Sequence, residues 1–157
     1  MSRVAAVLLV LVLPFALAGC GAEEGVAEGA TVAVYVDAPL CAGAERALTA
    51  AGGGSGAVAV RARCLPAERR GGSLDLATVG ANARRAAEDS TSVAYLLSPD
   101  RVAGRFAQPI LDAAGIGWVR SGSGAVAMRR ALGAIEAAGE SGALRESVRE
   151  ALDAPQN

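Results

Sequence analysis

Between Leu76 and Ser123 the chain passes twice from a helix-period segment to an unbroken apolar run, and this alternation restricts it to an α/β fold. In Leu76 to Asp89, the residues Leu76, Val79, Ala83, Ala86 and Ala87 share one helical face. Asn82, Arg84, Arg85 and Glu88 lie off that face, so the segment predicts a helix with one buried stripe. Ser92 to Leu97 is too short for a helix and has no polar alternation, the pattern of a parallel strand covered on both faces. Ser98-Pro99-Asp100 reads as a helix start: the Ser98 hydroxyl can accept from an unpaired backbone N–H, and Pro99 has none to lose at the first helical position. The helix it opens is expected to reach about Ala114, with Val102, Ala103, Phe106, Ile110 and Ala113 inward and Gly115 as its left-handed stop. Pro109 removes one i to i−4 bond within it, which predicts a kink or two shorter pieces. Ile116 to Arg120 is the next strand.

The flanking segments continue the same pattern. Thr31 to Val36 reads as a covered strand, followed by Leu40, Ala44, Ala47, Leu48 and Ala51 at helical spacing until Gly52-Gly53-Gly54. Ala57 to Arg63 is a more polar strand, suited to a sheet edge where Arg61 and Arg63 share a solvated face. Pro66 to Ser73 reads as a polar connection. Beyond Ser123, Met128, Leu132, Ile135 and Ala138 mark a helix closed by Gly139. A last helix, from about Ser141 to Leu152, turns Leu144, Val148, Ala151 and Leu152 inward and Arg145, Glu146, Arg149 and Glu150 to water. The sum is a small doubly wound parallel sheet of about four strands with helices on both faces, a single Rossmann-like lobe. With 3% aromatic residues, its core is built mainly of Val, Ala and Leu.

The first nineteen residues stand outside this fold. Arg3 precedes an apolar run from Val4 to Leu17, shorter than the ~20 residues of a membrane-spanning helix, and the run ends at Leu17-Ala18-Gly19-Cys20. This is similar to a bacterial lipoprotein signal, which implies cleavage before Cys20, lipidation of that cysteine and a location on the extracytoplasmic face of the cell membrane. An ordinary cleaved signal and an uncleaved anchor are the alternatives. Residues 20–30, with Glu23, Glu24 and Glu28 among Gly and Ala, read as a flexible tether, and residues 31–154 as one domain. Without Arg3, fourteen Arg face sixteen Asp plus Glu, a balance near −2 with no basic stripe, which argues against nucleic acid as a partner.

Cys41 and Cys64 each fall just past an expected strand. If those strands are neighbours in a parallel sheet, the two sulfurs meet at one edge and can form a disulfide worth ~3 kcal/mol in the chain-entropy model. Two buried free thiols are the other reading.

Gly80 to Asp89, then Val93-Ala94-Tyr95-Leu96, then Pro109 to Ile116, resemble the first lobe of the type I periplasmic binding proteins. Among these the chain is most similar to the lipoprotein receptors of ABC importers for leucine, isoleucine and valine. The resemblance implies a solute-binding domain that takes a branched-chain or other small amino acid and hands it to an ABC permease. In the resembled receptors a Ser or Thr after each of two strands holds the amino acid's carboxylate, and Ser98, Ser121 and Ser123 fall at those places. All three can equally be helix caps. Leu144 to Leu152 resembles a helix that full-length receptors carry after their second lobe, so the chain departs from the family by the loss of that lobe. The ligand's ammonium partner would belong to the lost half, leaving a site open on one side that binds weakly or with a second subunit.

Other chemistries find little support. The chain has no His, so no Ser has an imidazole to activate it, and no Gly-x-Ser-x-Gly elbow occurs. Gly122-x-Gly124-x-x-Ala127 superficially matches a dinucleotide fingerprint but follows the last strand instead of the first. Asp37 ends the first strand without the neighbouring acids that a phosphoacceptor or metal ligand needs. The expectation is a binding domain with no enzymatic activity, cofactor or metal. A module of the same fold that docks a protein is the alternative.

Overall fold

The computed structural model describes residues 31–139 and 144–154. The signal segment, Cys20 and the tether lie outside them. The elements follow in the order β1 (Thr31–Val36), α1 (Cys41–Ala50), β2 (Gly54–Ser55), β3 (Val58–Cys64), β4 (Arg69–Arg70), β5 (Ser73–Leu74), α2 (Leu76–Glu88), β6 (Ser92–Leu97), α3 (Arg101–Ala113), β7 (Gly117–Arg120), α4 (Gly124–Ala137) and α5 (Arg145–Asp153). A short 3-10 turn, Ala38–Leu40, links β1 to α1.

The sheet order is β2-β3-β1-β6-β7. Its four longer strands run parallel, with Val34 beside Ala94 and Ala94 beside Gly117. The chain is therefore an α/β protein with a doubly wound, mostly parallel sheet. The central strands β1 and β6 are the most apolar, because both their faces are covered: every residue of β6 is buried. The short β2 is antiparallel and pairs only with Val58 and Ala59 at the start of β3. The rest of β3 keeps an open edge, and Arg61 and Arg63 are exposed there as the polar pattern predicts.

Strand alternation divides the core in two. Val32, Val34 and Val36 point to the layer of α1, α4 and α5, where they meet Leu48, Met128, Leu132, Ile135 and Leu152. Ala33 and Tyr35 point to the layer of α2 and α3, where Tyr95, Leu97, Leu111 and Ile116 complete a second cluster. In the first layer, α1 and α4 touch backbone to backbone. A Cβ on Gly124 would fall inside contact distance of the Leu40 carbonyl, so this glycine serves helix packing.

Four expectations are corrected. The buried stripe of α3 is Ala103, Gly104, Ala107 and Leu111, while Val102 and Phe106 are 53% and 45% exposed. Small residues let the helix lie close to the sheet, and Gly104 leaves room for the Arg120 guanidinium. Pro109 sits on an exposed position of a single 13-residue helix, so α3 is not two pieces. In α2, Asn82 turns inward and Leu76 is 40% exposed, because the Asn82 amide donates to the Pro66 carbonyl at 3.1 Å. Arg145 is half-buried instead of wet: its guanidinium donates to the carbonyls of Ser92 (2.8 Å), Ala87 (3.3 Å), Ala114 (3.4 Å) and Asp89. Three of those carbonyls close the C-terminal ends of α2 and α3, where a cation is favoured by the helix dipole.

Candidate functional site

The four parallel strands deliver their carboxyl ends to one edge: Asp37 after β1, Leu65 after β3, Ser98 after β6 and Ser121 after β7. Cys41 and Cys64 meet there too, as a disulfide with Cα atoms 5.6 Å apart that ties the end of β3 to the start of α1. Glu45 brings a third donor within 4.8 Å of the two sulfurs, but joined sulfurs are not thiolates and offer a metal little.

The serines have specific local roles. Ser123 is the N-cap of α4, its Oγ accepting from the Val126 N–H at 3.4 Å. Ser121 Oγ accepts from the Ser123 N–H at 3.0 Å and donates to the Ser123 carbonyl at 3.1 Å, which fixes the turn ahead of that helix. Ser98 does not cap α3. That role falls to Asp100, whose carboxylate accepts from the N–H groups of Val102 and Ala103, with Pro99 just outside the helix. Ser98 is buried, and its N–H donates to Asp37 Oδ2 at 2.7 Å. The serines thus share one edge, while Ser98 lies against a carboxylate that repels a ligand's carboxylate.

What the sequence did not reveal is the group that surrounds Ser98. Asp37 is fully buried, and the Tyr95 hydroxyl donates to its Oδ1 at 2.8 Å. Glu68, expected in a polar connection, is 6% exposed, and its carboxyl lies beside that of Asp37. It is delivered there by the β4–β5 hairpin. Gly71 and Gly72, with φ of 59° and 87°, make the two-residue turn, and the Asp75 N–H closes the hairpin on the Glu68 carbonyl at 2.7 Å. The available signal was that Gly-Gly pair between Arg70 and Ser73. Asp37 thus has a carboxyl neighbour that the sequence pattern did not reveal, although among the described residues no set of three metal-ligating donors includes it.

Burial is the main cause of the pair's acid–base behaviour. It pushes Glu68 up to about 7, and the Asp37 carboxylate beside it pushes in the same direction. Burial also raises Asp37, against the pull of the Ser98 N–H and the Tyr95 hydroxyl. Those two donors favour the ionised form of Asp37, so protonation of the pair is favoured at Glu68. Burial first, and then the Asp37 charge, hold the Tyr95 phenol far above its ordinary range, so it stays a donor.

Beside this pair is a cavity of about 80 Å³. Pro39, Ala67 and Leu74 give it apolar walls, and Glu68, Ser98 and Asp100 its polar ones. Arg69 at its rim pairs with Asp100 at 2.7 Å. Asp100 lies below the ordinary carboxylate range, first through the Ala103 N–H. A wider hollow of about 560 Å³ runs along the outer face of α1 past Glu45, Arg46 and Thr49, but its walls come from one helix and no polar groups converge there.

No family model, no curated protein and no solved structure matches the chain.

Proposed function

We propose that this chain is a lipid-anchored, extracytoplasmic solute-binding-protein-like lobe that engages a small amino acid at the carboxyl edge of its sheet, for an ABC permease or together with a second subunit. One observation carries the reading: the hydroxyls of Ser98, Ser121 and Ser123, the starts of α3 and α4 and a small polar cavity gather at a single edge of a parallel sheet, where ligands of open α/β folds bind. The Cys41–Cys64 disulfide supports an oxidising compartment. At about 80 Å³ the cavity is far smaller than the ~300–1,000 Å³ of a pocket that encloses a drug-sized ligand. The lobe alone therefore grips a head group and leaves the rest of the ligand in water, which makes binding by the isolated chain weak.

A thermal-shift panel of amino acids tests this reading, since a ligand at 100 times its dissociation constant adds ~2.7 kcal/mol of stability. A shift with one class of amino acid supports it. No shift across the panel counts against it.

A second reading, a protein-docking module, is favoured by Leu76, Val102 and Phe106, which are 40%, 53% and 45% exposed on the packed pair α2 and α3. A dimer in solution that is lost on Phe106→Ser, alongside an unresponsive amino acid panel, favours that alternative.

A further inference from the structure

We propose that the acidic cavity beside Ser98 receives the ammonium group of a primary amine against the buried Glu68 carboxyl. The inference rests on the amino-acid reading above and gives that ligand a cation partner within this lobe.

Three features carry it. Glu68 lines the cavity at 6% exposure, and its Oε1 is buried without a hydrogen-bond partner, a costly state for a carboxyl oxygen. Arg69, the cation at the rim, is already engaged by Asp100 at 2.7 Å and by the Gly72 carbonyl at 3.0 Å. The space itself, about 80 Å³, matches two to three waters at ~30 Å³ each, enough for an ammonium head and its first carbon, which Pro39 and Leu74 would border.

Charge conservation favours ammonium entry. With its proton the pair carries one negative charge. When an ammonium enters, Glu68 gives its proton to water, and two carboxylates plus one ammonium again carry one negative charge, so no additional net charge is buried. A divalent ion fits less well. Among the described residues, three acidic or thiol donors converge within 4.8 Å only at Cys41, Glu45 and Cys64.

The groups facing Glu68 are Asp37 and Tyr95 from the sheet, Asp100 from the start of α3 and the Asn82 amide from α2. Below the Glu68 pKa of about 7 the incoming amine must displace a proton, so its affinity rises about tenfold per pH unit and levels off above that value.

Isothermal titration of the purified protein with ethylammonium chloride, L-alanine and L-leucine, at several pH values and in two buffers of different ionisation heat, tests the proposal. Ethylammonium and at least one amino acid are expected to bind with release of nearly one proton below neutrality. Tetramethylammonium, which has no N–H and is too large, is expected not to bind. Glu68→Gln should weaken binding at least tenfold and abolish its pH dependence. This variant mimics the protonated acid, and its unchanged melting temperature at acidic pH verifies that it folds. Should it not fold, proton release by the native chain decides. An amino acid that binds while ethylammonium does not, with Glu68→Gln harmless, overturns the inference and spares the functional reading. Ethylammonium binding without any amino acid does the reverse. No binding of either removes both.

Discussion

The two edges of the sheet solve the same problem in opposite ways. At the amino edge the helices α2 and α3 end in unpaired carbonyls, and one guanidinium, Arg145 of α5, satisfies those of Ala87, Asp89 and Ala114 together with Ser92. At the carboxyl edge, two carboxyls are buried against each other with one Glu68 oxygen unpartnered and a cavity beside it. The first arrangement uses a half-buried charge to complete backbone hydrogen bonds, with only the Ser92 hydroxyl left unpartnered nearby, and the second leaves a carboxyl oxygen incomplete. Buried polar groups beside a cavity, at the edge where open α/β sheets bind ligands, are the reason the proposed site is placed there.

The contrast can be broken most severely by cutting the covalent tie of the carboxyl edge. Replacing Cys41 and Cys64 by Ser should lower stability by ~3 kcal/mol, read as a lower urea midpoint, with a slope that is unchanged or slightly steeper because the uncrosslinked unfolded chain is more open. An unchanged midpoint would mean that packing alone holds the edge together.

A comparable effect is expected from pH. Folding raises Glu68 from 4.5 to about 7, so the folded chain holds a proton that the unfolded chain has lost between those values. The stability from this group is fully present below pH 4.5, declines as pH rises through about 7 and is level above. The loss reaches as much as ~3 kcal/mol. Glu68→Gln should flatten the profile in that window, and a native profile that rises there would contradict the assignment. The N-cap carboxylates Asp75, lowered first by the Thr78 hydroxyl, and Asp100, lowered first by the Ala103 N–H, work oppositely: their stabilisation is lost as pH falls through and below 3.8.

At the amino edge, Arg145→Ala should cost ~2 kcal/mol by leaving carbonyls unpaired at two helix ends. Lysine should restore only part of this, because a single ammonium cannot fork to four acceptors. Full rescue by lysine would reduce the role of Arg145 to its charge. The smallest effect is expected for Ser123→Ala, ~1 kcal/mol for a lost helix cap. If that variant also abolishes an amino acid thermal shift, Ser123 contacts ligand as well as capping α4.

Much of the architecture was legible because burial on both faces leaves its mark on a strand: after a first hydroxyl residue, Thr31–Val36 and Ser92–Leu97 run without charge or polar alternation. Gly115 and Gly139, both at positive φ, end helices as read. The face of α3 was misjudged because side-chain size was equated with burial. Close approach to the sheet instead selects Ala103, Gly104 and Ala107 and leaves Phe106 over Gly80 of α2. Arg145 and Asn82 were read as wet because a polar side chain is buried only when acceptors await it, and those acceptors come from distant segments. The serines lie past the carboxyl ends of the strands as read, but the acid pair was missed. Asp37 and Glu68 are brought together by the parallel pairing of β1 with β3 and by a four-residue hairpin strand pair, neither of which leaves an apolar period.

The central claim is that protonation of the buried carboxyl pair at the carboxyl edge is favoured at Glu68. Carboxyl carbon-13 NMR of the folded chain, titrated from acid to neutral pH, reads it directly. The account predicts a Glu68 midpoint near 7, with a coupled response at Asp37. A Glu68 midpoint at its ordinary 4.5, independent of Asp37, would contradict it.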